Sequence, residues 1–280
     1  MPNSKNSTVD RRDFLKSAAA GAAVLVSSPG LAEPQRSETA STAPAATPQA
    51  ADILKMKEKV ALATRMLARE GIVGSSGHVS MRIPGTDHVL IGPEDVTRNI
   101  LGPDDVVTVD LNTNQIEGKH HRPDETEIHT GIYRARPDVM AIIHTHPTYS
   151  VSFSITKKPI LPVHMHGAIF ADGVNVFDSV GHVNTHELGD GLARALGNRR
   201  AVLMKMHGAA IVGATLEEAF VAAFQLEENA QQQLLAEATG KVEPMTPDDV
   251  ARCIKQSWQP KSIQKRWQYY LDKQSLDYKA

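Results

Sequence analysis

Three histidines and a glutamate are the residues of this chain whose types and spacing could do chemistry. His144 and His146 stand in AIIHTHP (141–147), His207 precedes Gly208 in VLMKMHG (202–208), and Glu125 sits in RPDETEIH (122–129). Neutral imidazole is a common metal ligand, and three protein ligands that leave one coordination position open are the arrangement of catalytic rather than structural zinc. The pattern predicts a divalent metal held by His144, His146 and His207, zinc first, with Mn2+, Co2+ or Fe2+ as alternatives. A His-x-His pair alone is a weak signal, because a single strand-end histidine is more often an ordinary hydrogen-bonded residue. The reading rests on a coincidence: the pair, a third histidine ending a similar apolar run, and a carboxylate in the element before the first of them.

Such a set has to be positioned by strands that end at one place. The apolar run 139–143, bounded by Pro137 and Pro147, predicts a buried strand, and positions two apart on extended chain face one side. Both imidazoles of the pair would then look into one cavity. A second apolar run, 201–206, leads to His207, and a further strand is expected over 209–212. Other strands are expected at 78–83, 88–92 and 106–110. Helical spacing covers 52–70 with Gly71 as its stop, and a helix should run from Pro123 to about Ala135. Thr215 and Glu218 form a capping box for a long helix to Ala238, and tail helices are expected near 247–257 and 262–271. Strands in the middle with helices before, between and after them indicate an α/β chain, a three-layer α/β/α domain with a central mixed sheet. His129 shares a helix face with Glu125 and is expected to pack, while His182 and His186, at helical i, i+4 spacing, are read as surface.

The first residues set the compartment. DRRDFLK (10–16), a small and apolar stretch over 17–26, and Gly30-Leu31-Ala32 read as a removable twin-arginine export signal over 1–32. The stretch is too short and too rich in Ala and Gly for a stable membrane span, so the mature protein is expected in the periplasm, with the twin-arginine machinery as a partner. Residues 33–50 are rich in Pro, Ala, Ser and Thr and read as a disordered linker, leaving 51–280 as one catalytic domain. A formal charge of −2 with interspersed signs gives no basic stripe, which argues against nucleic acid. Cys253 is the one cysteine, so no intramolecular disulfide can form, and 5% aromatic content offers no stacking platform for bases. Trp258 and Trp267 are expected to anchor a terminal helix.

From about Lys55 to Gly240 the chain resembles the class II aldolase and adducin superfamily, on GSSGHVSMR (74–82), Glu125, His144-Thr145-His146 and Met206-His207-Gly208. The resemblance implies a class II aldolase-like fold and a divalent metal, commonly zinc, on the three histidines. It also implies proton transfer by Glu125 and a ring-like homotetramer. Two departures bear on substrate. Family members that cleave sugar phosphates carry an asparagine where His78 stands and a serine pair where Pro123 and Asp124 stand, and an aspartate there repels a phosphate. The Gly-His-Val-Ser form, with IYRARPDV (132–139), resembles instead the decarboxylases of hydroxymuconic semialdehydes and dihydroxyphthalate-like acids. His78 and Arg82 then become substrate-binding residues, the guanidinium as a bidentate carboxylate clamp.

Decarboxylation and aldol cleavage share one demand, an electron pair delocalised into an adjacent oxygen, and a chelating metal stabilises that enolate. Glu125 would move the proton, its carboxyl raised toward neutrality by an apolar pocket. Family aldolases add a tyrosine near Met165, for which His164 or His166 would substitute as a second proton donor. The expected function is a metal-dependent carbon–carbon lyase acting on a small molecule, first a decarboxylase of a hydroxy or oxo acid. Alternatives are an aldolase acting on a non-phosphorylated hydroxy-carbonyl compound, an Fe(II) oxygenase, and a non-catalytic adducin-like interaction module. The last of these would be expected to have lost its ligands.

Overall fold

The computed structural model describes residues 48–276, so the signal and most of the linker lie outside the described residues. Helix α1 (Ala50–Arg69) is followed by strands β1 (His78–Arg82), β2 (His88–Ile91), β3 (Val107–Asp110) and β4 (Gln115–Glu117). Then come α2 (Thr126–Ala135), β5 (Ala141–Thr145), α3 (Thr148–Thr156), β6 (Asn175–Phe177) and α4 (His186–Leu196). The remainder is β7 (Ala201–Met204), β8 (Gly208–Gly213), α5 (Leu216–Thr239), α6 (Pro247–Ser257) and α7 (Pro260–Leu276). The strands form one sheet in the order β4-β3-β2-β1-β5-β8-β7-β6, antiparallel except for the parallel pair β6–β7. The sheet is therefore mixed, as the sequence pattern predicts.

Period-two alternation along the central strands builds two separate cores. Ala141 and Ile143 of β5, Leu203 of β7 and Ile211 of β8 pack with residues of α1, α3, α5 and α7. Ile142, Val202 and Val212, one position away, pack with Ile128, Ile132 and Leu192 of α2 and α4. Each fully buried Ile, Leu or Val contributes about 1.5–3 kcal/mol, so both layers are held by the sheet that separates them. Trp267 is buried against Phe220, ring centroids 5.0 Å apart, and fixes α7 on the first layer. Among the described residues no helix is long and apolar enough to cross a membrane.

Several boundaries move, and each shift bears on the site. The strand expected at 139–143 spans Ala141–Thr145, which places His144 inside the sheet and His146 just beyond its end. The strand expected at 201–206 stops at Met204, because Met206 takes a left-handed φ of 56° and closes a tight turn into β8. Helix α2 starts at Thr126 rather than Pro123, since the Thr126 amide and hydroxyl both donate to the Pro123 carbonyl in a turn ahead of it. Glu125 thereby becomes the residue at the head of α2. Helices α3 and α4 and the short strands β4 and β6 are additions to the sequence reading. His182 lies in the loop before α4 and His186 is the first residue of α4, so the two do not share a helix.

Candidate metal centre

Glu125, His144, His146 and His207 each place one ligand atom within 4.8 Å of all the others. His144 and His146 reach the site from β5, His207 from the β7–β8 turn, and Glu125 from the head of α2. His144 Nε2 lies 3.0 Å from His146 Nε2 and 3.7 Å from Glu125 Oε2, and His207 Nε2 lies 3.5 Å from the same oxygen. Ligand atoms about 2.0–2.1 Å from a tetrahedral zinc are about 3.3 Å from one another, which is the scale of these separations. The donor set suits a borderline metal, and the tautomers suit it as well. His144 Nδ1 donates to the Ala209 carbonyl at 3.1 Å, leaving the Nε2 lone pair for the centre. Glu125 Oε1 accepts from the Val183 amide at 3.0 Å, so its Oε2 is the oxygen turned to the histidines.

The turn that delivers His207 is held from outside, the Met206 amide donating to Ser154 Oγ of α3 at 2.9 Å. Gly208 is required there. A Cβ at this position would stand 2.4 Å from the Thr145 carbonyl oxygen, 2.8 Å from His146 Cδ2 and 2.9 Å from His144 Cε1. We expect Gly208→Ala to cost about 1–3 kcal/mol of stability by overpacking and to lower metal content by pushing both ligands. Thermal melts and metal analysis of the purified variant measure both, and an unchanged metal content would mean the ligands tolerate the push.

The electrostatics differ from the sequence expectation in one respect. Burial alone would raise the Glu125 carboxyl, but hydrogen bonds and positive charge from His144 and His207 outweigh it, and the group sits below its ordinary value. The expectation of a raised carboxyl is corrected: the pocket is lined by imidazoles rather than by apolar groups. Burial also lowers His146 to about 4 and His129 to about 3, with His144 adding to both. These two bases are neutral in the fold and titrate near 6.5 when unfolded. Below 6.5 the unfolded chain binds more protons, so this part of stability is complete above 6.5 and is lost as pH falls toward 4. For the fully buried His129 the slope is about 1.4 kcal/mol per pH unit. We expect Tm to be level between about pH 7 and 8 and to drop below about 6, with a shallower drop in His129→Gln. Equal slopes in the two proteins would remove His129 from the account.

The other residues named from sequence divide. His78 pairs with His144 across β1 and β5, its ring 5.4 Å from that of His144, and burial, helped by His144 and His129, holds it well below its ordinary value. Its buried Nδ1 has no hydrogen-bond partner among the described residues. Arg82 lies at the other end of β1 over the Tyr133 ring and donates to the carbonyls of Tyr133, Arg136 and Val139. Those contacts tie β1 to the end of α2, and the carboxylate-clamp role for Arg82 is not carried further. His164 and His166 do not join the Glu125 group within one chain; they converge on Glu228 of α5, 3.8 and 3.0 Å away. Sequence reasoning missed Arg98, a buried guanidinium that donates to the carbonyls of Gly77, Glu94 and Val96 and so fixes the approach to His78. It also missed Ser80, which links His129 Nδ1 and Tyr133 behind the site; His182, read as surface, is exposed, with its ring 6.2 Å from that of His207. Nothing in the spacing of Arg98 or Ser80 marks these contacts.

The fold and the site define a class. Residues 58–234 match the Class II Aldolase and Adducin N-terminal domain, and residues 8–27 match the twin-arginine translocation pathway signal sequence. The chain belongs to the class II aldolase and adducin family, with a signal for export by the twin-arginine route to the periplasm. It is 30% identical over 210 residues to a 3,4-dihydroxyphthalate decarboxylase of Arthrobacter keyseri, covering 70% of this chain and 84% of that protein. Over 203 residues it is 32% identical to a 4-hydroxy-3-prenylphenylpyruvate oxygenase/4-hydroxy-3-prenylbenzoate synthase of Streptomyces roseochromogenus subsp. oscitans, covering 70% of this chain and 73% of that protein. The solved L-fuculose 1-phosphate aldolase of Glaciozyma antarctica PI12 superposes with a TM-score of 0.71 at 26% identity, covering 81% of this chain and 93% of that one.

Proposed function

We propose that the protein is a metal-dependent carbon–carbon lyase that decarboxylates a hydroxy or oxo acid, aromatic or derived from ring cleavage. His144, His146 and His207 would hold the divalent ion, zinc first, and a ring-like homotetramer belongs to the same reading. The bound ion supplies Lewis-acid stabilisation of charge developing on a substrate oxygen as the carbon–carbon bond breaks. Glu125, ionised and oriented by the Val183 amide, takes a proton from the substrate and returns it to carbon. His78, neutral and with a free Nδ1, offers a hydrogen bond beside the ion. His164 and His166 are given no step.

The observation that favours decarboxylation over sugar-phosphate cleavage is acidic: Asp124 shares one cavity with Glu94 and Asp95, three carboxylates against the one guanidinium of Arg122. Three carboxylates there oppose a phosphate dianion. Relatives of both kinds stand at like identity, 30% for a dihydroxyphthalate decarboxylase and 32% for an L-fuculose phosphate aldolase, so the choice rests on the acidic lining. We expect CO2 from a panel of hydroxylated aromatic and ring-cleavage acids incubated with the zinc-, manganese- and iron-loaded protein. Cleavage of fuculose or ribulose phosphate at about 10⁴ M⁻¹s⁻¹ or more, with no CO2 from any acid, would reverse the assignment. A second reading, Fe(II)-dependent oxygenation, is favoured by the 32% identity to an oxygenase and by three imidazoles that also suit iron. Oxygen uptake by the iron form alone selects it.

A further inference from the structure

A cavity of about 500 Å3 lies between α5, α6 and α7 and shares no residue with the Glu125 group. Its α6 and α7 walls lie beyond the family-matched residues 58–234. On the α5 wall, Val221, Phe224, Gln225 and Glu228 share one helix face by their three- and four-residue spacing. Gln225 is only 2% exposed, yet neither its Nε2 nor its Oε1 has a hydrogen-bond partner among the described residues. A buried amide left so forfeits both a donor and an acceptor, and a leucine would fill the same helix position without that penalty.

The opposite wall is cationic. Lys265 has no ion-pair partner among the described residues, and Arg266 donates to His166 Nε2 at 2.7 Å and to the Ser257 carbonyl at 3.2 Å, leaving further N–H groups. Glu228, the one carboxylate in the lining, already accepts from His166 Nδ1 at 3.0 Å. Flat rings line both walls. Phe224 and Tyr270 stack at 4.3 Å and 21°, and the exposed Tyr269 meets Tyr270 edge-on at 5.1 Å.

We propose that this cavity is a binding site for a hydroxylated aromatic carboxylate, separate from the metal centre. The ring lies against Tyr269 and Tyr270, and the carboxylate meets Lys265 and Arg266. The phenol hydroxyl donates to Gln225 Oε1 and accepts from one Nε2 hydrogen, which gives each polar atom of the amide a partner. The site is independent of the reaction assigned to the metal.

The test is calorimetric titration of the metal-loaded mature protein with 4-hydroxybenzoate, with benzoate and 4-hydroxybenzyl alcohol as ligands lacking the hydroxyl or the charge. Saturable binding is expected, weakened about tenfold or more for either comparator. Gln225→Leu and Arg266→Gln are expected to weaken 4-hydroxybenzoate by a similar factor while metal content is retained, and Gln225→Leu should melt no lower than the parent. Unchanged binding in Gln225→Leu overturns the proposal, as does the absence of saturable heat up to about 10 mM. Heat that disappears in His207→Ala but survives in Gln225→Leu places the ligand on the metal centre and overturns it too. The comparators are run on the unaltered protein, so the proposal stays falsifiable if a variant does not fold.

Discussion

His207→Ala is expected to purify with less than about a tenth of a metal ion per chain, against about one in the parent, and to have no measurable turnover. Catalytic zinc is held by three protein ligands with the fourth position left for substrate, and two imidazoles alone do not hold it firmly at neutral pH. His207 stands in a turn rather than in a strand, its amide donating to the Met204 carbonyl at 3.1 Å, so removing its ring leaves the sheet register untouched. The variant should therefore keep the parent's circular dichroism while losing the part of its Tm that bound metal confers by mass action. Metal analysis beside a thermal melt separates the two effects. Full metal content in the variant would show that Glu125, His144 and His146 suffice. Loss of folded signal would mean that the turn, rather than the ring, had been damaged.

The metal-ligand set was legible because its members close apolar runs, and a run that ends in a histidine states both the element and the position. Even a two-residue error in β5 left His144 and His146 on one side of the chain, since the period of a strand is two. Helix α3 was not legible. Its sequence, TYSVSFSIT, is rich in serine and β-branched residues, and its first turn is capped by Glu227, whose carboxylate accepts from the amides of Tyr149 and Ser150 at 2.8 and 2.9 Å across 78 and 77 residues. A cap from so far along the chain leaves no local trace. Helix α4 did leave one, the Thr185 cap that accepts from the Leu188 amide. Arg82 and Arg98 illustrate a different limit. Arg82 ends the glycine-rich motif and Arg98 follows it, and sequence cannot say whether a guanidinium faces ligand or backbone; in the fold both face carbonyls. The direction of the Glu125 shift was likewise hidden, because it depends on how many imidazoles surround the carboxylate as well as on how deeply it is buried.

Glu125→Gln separates holding the ion from doing the chemistry. Glutamine preserves the length of the side chain and an oxygen able to accept from the Val183 amide, so the head of α2 should stay in place. The three imidazoles remain, and metal content should stay near that of the parent. What goes is the group able to take and return a proton, for which general acid–base catalysis supplies about 10²–10⁴-fold, so kcat should fall by that factor. KM should change little, because the interaction removed is one made in the transition state. Metal loss at neutral pH would make Glu125 a required ligand, and undiminished turnover would move proton transfer to another group. His182 would be the first to test, since among the site's unassigned residues its ring stands 6.2 Å from that of His207.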